Sequence, residues 1–464
     1  MKITARSLAL FILIAGWAAE IAGAAPGPQM RPVGAARINI TPDYPVRLTG
    51  YGNRRTVFEG VEQPIWAKAL AFGSDAEGTA VLVTVDNCGV PASLREAVLQ
   101  RIKLKSTVNH ERFAICSSHT HSAPALAGAL GNIFSMDISA ADQAGIERYT
   151  RDLIDKLEQV VMAALAARQP AELAWAMGRA GFAMNRRLPT IKGFQNSPYP
   201  QGPTDHALPV LRATDAAGKV VAIFTSYACH CTTVGFNRVH GDWAGCAQEF
   251  LERDFPGAVV LTALGCGADQ NPYPRGTYDL ARQHGREVTS EVARLLTGKF
   301  SPLPNALNCR ATQLELPFDT LPTRAEWEAK ARDKAASISY HARKNLARLD
   351  RGEAIPTSLP YLVQTWSFGA DLVMVFLPGE VVVDYSLRLK TELDRSRVWV
   401  NAYANDVPCY IPSRRVLEEG GYEAASAMLY YDRPTKFAPL VEEIIIGGVR
   451  GITPGTFLNG GGRR

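Results

Sequence analysis

Several signatures that would settle a chemistry at once are missing. The chain has no GxGxxG, no Walker A loop and no GxSxG elbow. A Rossmann dinucleotide site, a P-loop and an α/β-hydrolase nucleophile are thereby excluded as its organising motif. No basic block occurs either. The net charge of +5 is spread over interspersed acids and bases, which argues against nucleic acid as a partner. Cysteine is sparse, 8 in 464 residues; the even count permits a full set of pairs, but the sequence assigns no connectivity. No internal repeat is present, and beyond the amino terminus no apolar run is long enough to span a bilayer.

The amino terminus itself carries a basic start (Met1, Lys2, Arg6), a short apolar stretch from Leu8 to Ala19, and a small-x-small site at Ala22-Gly23-Ala24. This pattern predicts a secretory signal over residues 1–24. Glu20 and the shortness of the apolar stretch speak against a permanent anchor. Residues 25–464 then suffice for a sizeable core, after a linker from Pro26 to Pro32.

From there strands and helices alternate. Ala36–Thr41 alternates apolar and polar residues like a strand, and Gly50-Tyr51-Gly52 marks a turn. Ala80–Val85 is apolar and β-branched, as expected of a strand covered on both faces. Ser93–Lys103 has helical spacing with Ser93 placed to cap it, and Asp142–Ala167 reads as a long amphipathic helix. Further strands are predicted at Val220–Ala228, Ala258–Leu264 and Leu372–Leu377, each followed by a helix (Gly245–Arg253, Leu280–Leu296, Val382–Leu393). The pattern predicts an α/β fold with a largely parallel or mixed sheet flanked by helices. Arg324–Asp350 is charge-rich and reads as a solvated helix, and Asn459–Arg464 as a tail.

In open α/β sheets the ligand site lies at the carboxyl ends of the strands. Those ends here offer Asp86, His119, His121, His230, Asp269 and Glu380. His119 and His121 follow the apolar run Arg112–Cys116. In an extended chain their i, i+2 spacing puts both rings on one face, about 7 Å apart, and Pro124 ends the ladder. Taken alone the pair is equally two polar loop residues. Two histidines and a glutamate from separate strand ends, however, make a catalytic Zn²⁺ set with positions left for water and substrate. Zinc brings the pKa of a bound water to about 7 and polarises a carbonyl, which suits hydrolysis of an amide or ester. Cys229 and Cys231 compete as ligands, although in a strand they face away from His230. Cys266, near Asp269, is a second competitor.

The order of these motifs resembles the neutral (alkaline, non-lysosomal) ceramidase family, from about Gly34 through Ala425. Ile38-Asn-Ile-Thr-Pro42 and Gly50-Tyr51-Gly52 resemble its opening strand and turn, and Ser118-His-Thr-His-Ser-Ala-Pro124 its THTHSGP motif. Asn185-Arg186 resembles the NRS element, with Arg187 in place of serine. Ala228-Cys-His230-Cys-Thr-Thr followed by Gly241-Asp242 resembles the AxHPTS strand end, and Pro378-Gly379-Glu380 the PGE turn. Tyr410-Ile-Pro-Ser and Tyr422-Glu-Ala-Ala-Ser resemble YxTT and YEGAS. The resemblance implies one zinc held by His119, His230, Glu380 and Tyr410, with His121, Tyr422 and Arg186 handling protons or contacting substrate. Asp269 and Asn271 belong to the stretch matching the family's GDVSPN segment and are counted with the site. Read without the family, Tyr410 is a buried aromatic, Arg186 a surface ion-pair partner, and Asp242 and Asp269 turn residues.

Two departures stand out. The GDVSPN segment carries a serine in the family, whereas Gly267–Pro272 has none. The family's C-terminal immunoglobulin-like domain is also expected to be absent, since about forty residues follow Tyr422 against the ≈ 100 such a sandwich takes. The implied activity is that of an exported zinc amidohydrolase, periplasmic or secreted, splitting N-acylsphingosine into fatty acid and sphingoid base with zinc-bound water as nucleophile. Its partner is a small amphipathic, lipid-like molecule, met with at most transient contact with a membrane surface. Two alternatives stay open: a zinc hydrolase of a different amide or ester (lipid, sugar or peptide conjugate), and a metal-stabilised binding protein that lost catalysis with the serine.

Overall fold

Where the chain alternates or runs fully apolar, it pairs into sheet. The computed structural model describes residues 29–459; the predicted signal, residues 1–24, lies outside them. Strands β1 (Met30–Asn39), β2 (Trp66–Phe72) and β3 (Ala80–Val85) pair antiparallel in succession. Helix α1 (Ala92–Lys103) crosses to β4 (Phe113–Ser117), parallel to β3. Helix α2 (Ala140–Ala166) precedes β5 (Gln169–Arg179), the short β6 (Ala183–Asn185) and a hairpin of β7 (Arg187–Thr190) and β8 (Gly193–Asn196). After β9 (Ala207–Asp215) and β10 (Val220–Tyr227), α3 (Asp242–Asp254) crosses to β11 (Val259–Leu264), parallel to β10.

The rest of the chain adds β12 (Gln270–Pro272), α4 (Tyr278–Leu296), β13 (Ser301–Pro302) and β14 (Leu307–Pro317). Helices α5 (Arg324–Lys330) and α6 (Ala336–Asp350) lead to β15 (Ser358–Phe368), β16 (Leu372–Phe376) and β17 (Glu380–Val381). Then come α7 (Val383–Glu392), β18 (Val398–Asn401), β19 (Tyr410–Ile411), α8 (Arg414–Glu419) and α9 (Val441–Ile452).

The main sheet has the order β11-β10-β9-β5-β1-β2-β3-β4, with β13 joined to β5. Only its outer pairs, β10/β11 and β3/β4, are parallel. The sheet is therefore mixed, the second of the two arrangements that the sequence pattern allows. A parallel neighbour needs a helical crossover, and here only α1 and α3 supply one within the sheet. A second sheet, β14-β15-β16-β18, packs against one face. The alternation within β3 shows why its run is apolar throughout: Val81, Val83 and Val85 meet the helical layer of Leu99 and Leu157, while Ala80 and Leu82 meet the layer of Trp366, Met374 and Trp399.

Local departures from the sequence reading have physical causes. Helix α1 begins at Ala92 and is entered from Pro91, whose fixed φ suits a helix start, with no side-chain cap from Ser93. Met30–Pro32 are not linker but pair with β5. Arg324–Asp350 is two helices; Thr323 and Glu326 form a capping box on α5. Trp327, His341 and Asn345 in that segment are buried, so it is not wholly solvated. All eight cysteines are free thiols. Among the described residues no helix is long and apolar enough to cross a membrane.

Candidate metal centre

Three short ladders between distant segments build the site. Beyond β4 the chain leaves the extended region, with φ +55° at His119. Thr120 bridges in parallel to Cys231, and His121 N–H donates to Cys231 O at 3.3 Å. This brings the two histidine segments side by side. β17 pairs β19 in parallel with Glu380 directly opposite Tyr410, so both side chains leave on the same face. The turn before Glu380 needs glycine: Gly379 has φ +82°, and a Cβ there would lie 2.8 Å from Cys409 O. β12 pairs β6 with Gln270 opposite Asn185, which delivers Arg186 beside the others. Because of the bend at His119, the His119 and His121 ring centroids stand 4.7 Å apart, well inside the extended-chain spacing.

The converging atoms are lone-pair donors. Glu380 Oε2 lies 3.2 Å from His119 Nε2 and 3.1 Å from His230 Nε2. His119 turns its Nδ1 to Cys88 O, and His230 Nδ1 lies 2.8 Å from Gly267 O. A ring whose Nδ1–H is held by a carbonyl presents a bare Nε2. Glu380 Oε2 is buried and has no hydrogen-bond donor of its own, while Glu380 Oε1 accepts from the Tyr431 hydroxyl. Tyr410 Oη is 3.4 Å from His230 Nε2 and accepts from Arg186 Nη2 at 2.9 Å. Two imidazole nitrogens, an orphaned carboxylate oxygen and a phenol oxygen fit zinc. Among the described residues, His119, His230 and Glu380 form one of two clusters with metal-ligand spacing; the other joins Cys88 to His119 and His121.

Electrostatics follow the geometry. Burial alone would push the Glu380 carboxyl up, but the His119 and His230 imidazoles beside it hold it well below the usual range. His119 goes to about 10, burial being outweighed by Cys88 and Glu380 beside it. His230 goes the other way, to about 4, through burial and the Arg186 guanidinium. A proton that this environment favours on His119 is one that a metal ion displaces when it binds Nε2. Burial and the two neighbouring imidazoles hold His121 neutral, well below its ordinary value. Its Nε2 is 3.1 Å from His119 Nε2 and its Nδ1 has no partner.

The remaining residues named from sequence spread around this centre. Arg186 is buried, not at the surface. Its Nε donates to Glu423 Oε1 at 2.9 Å and its Nη1 to Asn271 Oδ1 at 3.1 Å. Asn271 therefore orients Arg186. Asp269 accepts from Val383 N–H (2.9 Å) and Asn185 Nδ2 (3.3 Å). It ties the strand of Glu380 to that of Arg186, and burial raises its carboxyl to about 7. The Tyr422 ring lies 5.3 Å from that of Tyr410. Asp86 is used elsewhere, accepting from Trp66 N–H and Gln248. Asp242 accepts from Val234 N–H at the start of α3.

Cys229, Cys231 and Cys266 are buried in the core and join neither ligand cluster. The cysteine near the centre is Cys88, whose Sγ is 3.7 Å from His119 Nδ1. Sequence reasoning passed over Cys88, Tyr431 and Glu423. Glu423 had a signal, as it follows Tyr422. It also accounts for Arg187 in place of serine, since its second oxygen accepts from Arg187 Nη1 at 2.6 Å. Tyr431 and Cys88 had none.

A mixed α/β scaffold with a buried histidine–histidine–carboxylate cluster at its strand ends defines a class: proteins with a metal-ligand site on a sheet. The family is narrower. Residues 32–316 match the model for neutral/alkaline non-lysosomal ceramidase, N-terminal, and the chain belongs to that family. It is 24% identical to neutral ceramidase A of Dictyostelium discoideum over 246 residues, 50% of this chain and 33% of that protein. With neutral ceramidase B of the same organism it shares 26% over 243 residues, again 50% and 33%. The chain thus matches about a third of the length of these relatives. The fold matches that of neutral ceramidase from Pseudomonas aeruginosa with a TM-score of 0.67 at 20% identity, covering 89% of this chain and 72% of that one. A structure described as ceramidase complexed with C2 matches equally well, TM-score 0.67 at 18% identity, covering 89% and 73%.

Proposed function

We propose that residues 25–464 form a zinc-dependent hydrolase that cleaves the amide bond of a ceramide-type N-acyl sphingoid base. The observation that carries this reading is the orphaned Glu380 Oε2 set between two bare imidazole nitrogens, in a chain of the ceramidase family. His119, His230, Glu380 and Tyr410 would hold the ion. Zinc bound there supplies Lewis acidity, polarising a carbonyl and lowering the pKa of a water to about 7.

The chain's own groups do the rest. His121 stays neutral and turns its Nε2 to the centre, 3.1 Å from His119 Nε2, so it takes the proton of the attacking water and returns it to the departing amine. The Arg186 guanidinium is fixed by Glu423 and Asn271 and stays charged. With the Tyr422 hydroxyl it holds the negative charge that develops on the carbonyl oxygen. Asn271 has no nucleophilic atom, so no acyl-enzyme forms on this loop. The substrate is amphipathic and is taken from a transiently contacted membrane surface. Export rests on the composition of residues 1–24, and protein recovered outside the cytoplasm should begin at Ala25.

The test is fatty acid release by the purified, zinc-loaded chain from short-chain ceramides, other N-acyl amines and acyl esters, with and without chelator. Chelator-sensitive release from ceramide is the expected result. Turnover of esters or non-lipid amides alone would reassign the substrate. Full zinc occupancy without turnover of any amide or ester would replace the enzyme with a binding protein.

A further inference from the structure

Behind the turn that carries His119 and His121 lies a cavity of about 580 Å³, between β1–β2 and helices α3 and α4. Most charges in its wall are already matched. Glu252 takes both Arg37 and Lys68, the latter at 2.7 Å. Glu62 pairs with Arg238 at 3.5 Å and Arg253 with Asp254 at 3.1 Å, while the Glu249 carboxylate has only a neutral donor, the Gln63 amide at 2.6 Å.

Three donor groups remain. Arg282 and Arg286, one turn apart on α4, have no hydrogen bond or ion pair among the described residues, although like charges at i, i+4 repel. Arg286 only stacks on Phe250, its Cζ 5.6 Å from the ring centre. The third group is His240, 2% exposed and lining the same cavity. Its Nδ1 accepts from Asp242 N–H at 2.8 Å, which puts the ring proton on Nε2, and Nε2–H has no protein acceptor. His240 thus presents a donor to the cavity, and two guanidinium groups without an ion-pair partner favour a charged acceptor for it.

We infer that this cavity is a binding site for a small oxyanion of the phosphate class, held by Arg282, Arg286 and the Nε2–H of His240. The site is separate from the metal centre but backs onto it: His240 N–H donates to Ser122 O at 2.9 Å, and Thr120 Oγ1 donates to His240 O at 2.7 Å. Phosphate chemistry reaches such a site either as a free ion or as a lipid headgroup.

Calorimetric titration of the full zinc-loaded chain with inorganic phosphate, at constant ionic strength, tests the assignment. Arg282→Ala/Arg286→Ala, at exposed positions, should weaken binding about tenfold or more, the worth of one lost charge-assisted hydrogen bond. Arg332→Ala/Lys334→Ala, an exposed control pair on the α5–α6 connection, should leave it unchanged. Flotation with phosphatidic acid vesicles, against phosphatidylcholine vesicles, separates the sources. Vesicle binding that needs Arg282 and Arg286 assigns a headgroup, and phosphate binding without it assigns the free ion. No heat at millimolar phosphate, or equal binding by all three proteins, overturns the site; the latter places the ion at the metal centre or elsewhere. Neither outcome bears on ceramide hydrolysis, which is read separately.

Discussion

Replacing Tyr431 by Phe isolates a contact that no motif announces. Tyr431 ends the short 3₁₀ turn Ser426–Tyr431 and is 6% exposed. Its hydroxyl is the hydrogen-bond donor to Glu380 Oε1, and that oxygen has no other donor among the described residues. The substitution keeps the ring, so packing is preserved and only the hydroxyl is lost. A hydrogen bond to a charged group is worth about 1.5–3 kcal/mol. Spent on a ligand carboxylate, it corresponds to a loss of about 10–100-fold in zinc affinity, the usual effect of removing a group that orients a metal ligand. Equilibrium competition with a chromophoric chelator reads the affinity, and circular dichroism confirms that the fold is intact. If Tyr431 only positions Glu380, saturating zinc should restore most of kcat. Tyr422→Phe, whose hydroxyl touches no proposed ligand, should bind zinc like the wild type. Zinc affinity of Tyr431→Phe within about twofold of wild type would refute the assignment of Glu380 as a ligand oriented by this hydroxyl.

Other substitutions divide the site by role. His230→Ala should hold well under one zinc per chain after dialysis while Cys231→Ala holds a full complement; elemental analysis giving the reverse order would move the site to cysteine. His121→Ala should keep zinc and lose about 10²–10⁴-fold in kcat, and a metal-free His121→Ala beside a metal-replete His119→Ala would exchange their roles. Gly50→Ala should mimic it, because Gly50 has φ +89° and an added Cβ would stand 2.5 Å from His121 Cγ; the strained backbone should also cost about 1–2 kcal/mol of stability in denaturant titration. Asn271→Ala should stay measurably active and Glu380→Ala should not. An acyl adduct on any serine, seen by rapid quench and intact mass during turnover, would rule out direct attack by water.

The order of short motifs, each with its own side chains, was enough to identify the family and to name His119, His230, Glu380 and Tyr410 together. Residue type and period also determined much of the scaffold. Ala80–Val85 is apolar on both faces because layers cover both, and Asp142–Ala167 carries an apolar stripe because one face packs on β1 and β2. Such signals are local, since burial repeats every second residue in a strand and about every 3.6 in a helix. What the sequence could not settle is pairing. Whether β2 runs antiparallel to β1, whether Glu380 stands opposite Tyr410, and whether Thr120 bridges Cys231 depend on contacts between segments far apart in the chain. Register has no local signature, because a strand's own pattern is the same whichever neighbour it meets. The same reason hid Cys88 and Tyr431. One offers a backbone carbonyl, which every residue has, and the other a phenol that meets Glu380 only after the 3₁₀ turn folds over β17. The left-handed turn at His119, which draws two imidazoles to 4.7 Å, was likewise decided by tertiary contacts, since an isolated histidine favours the extended region.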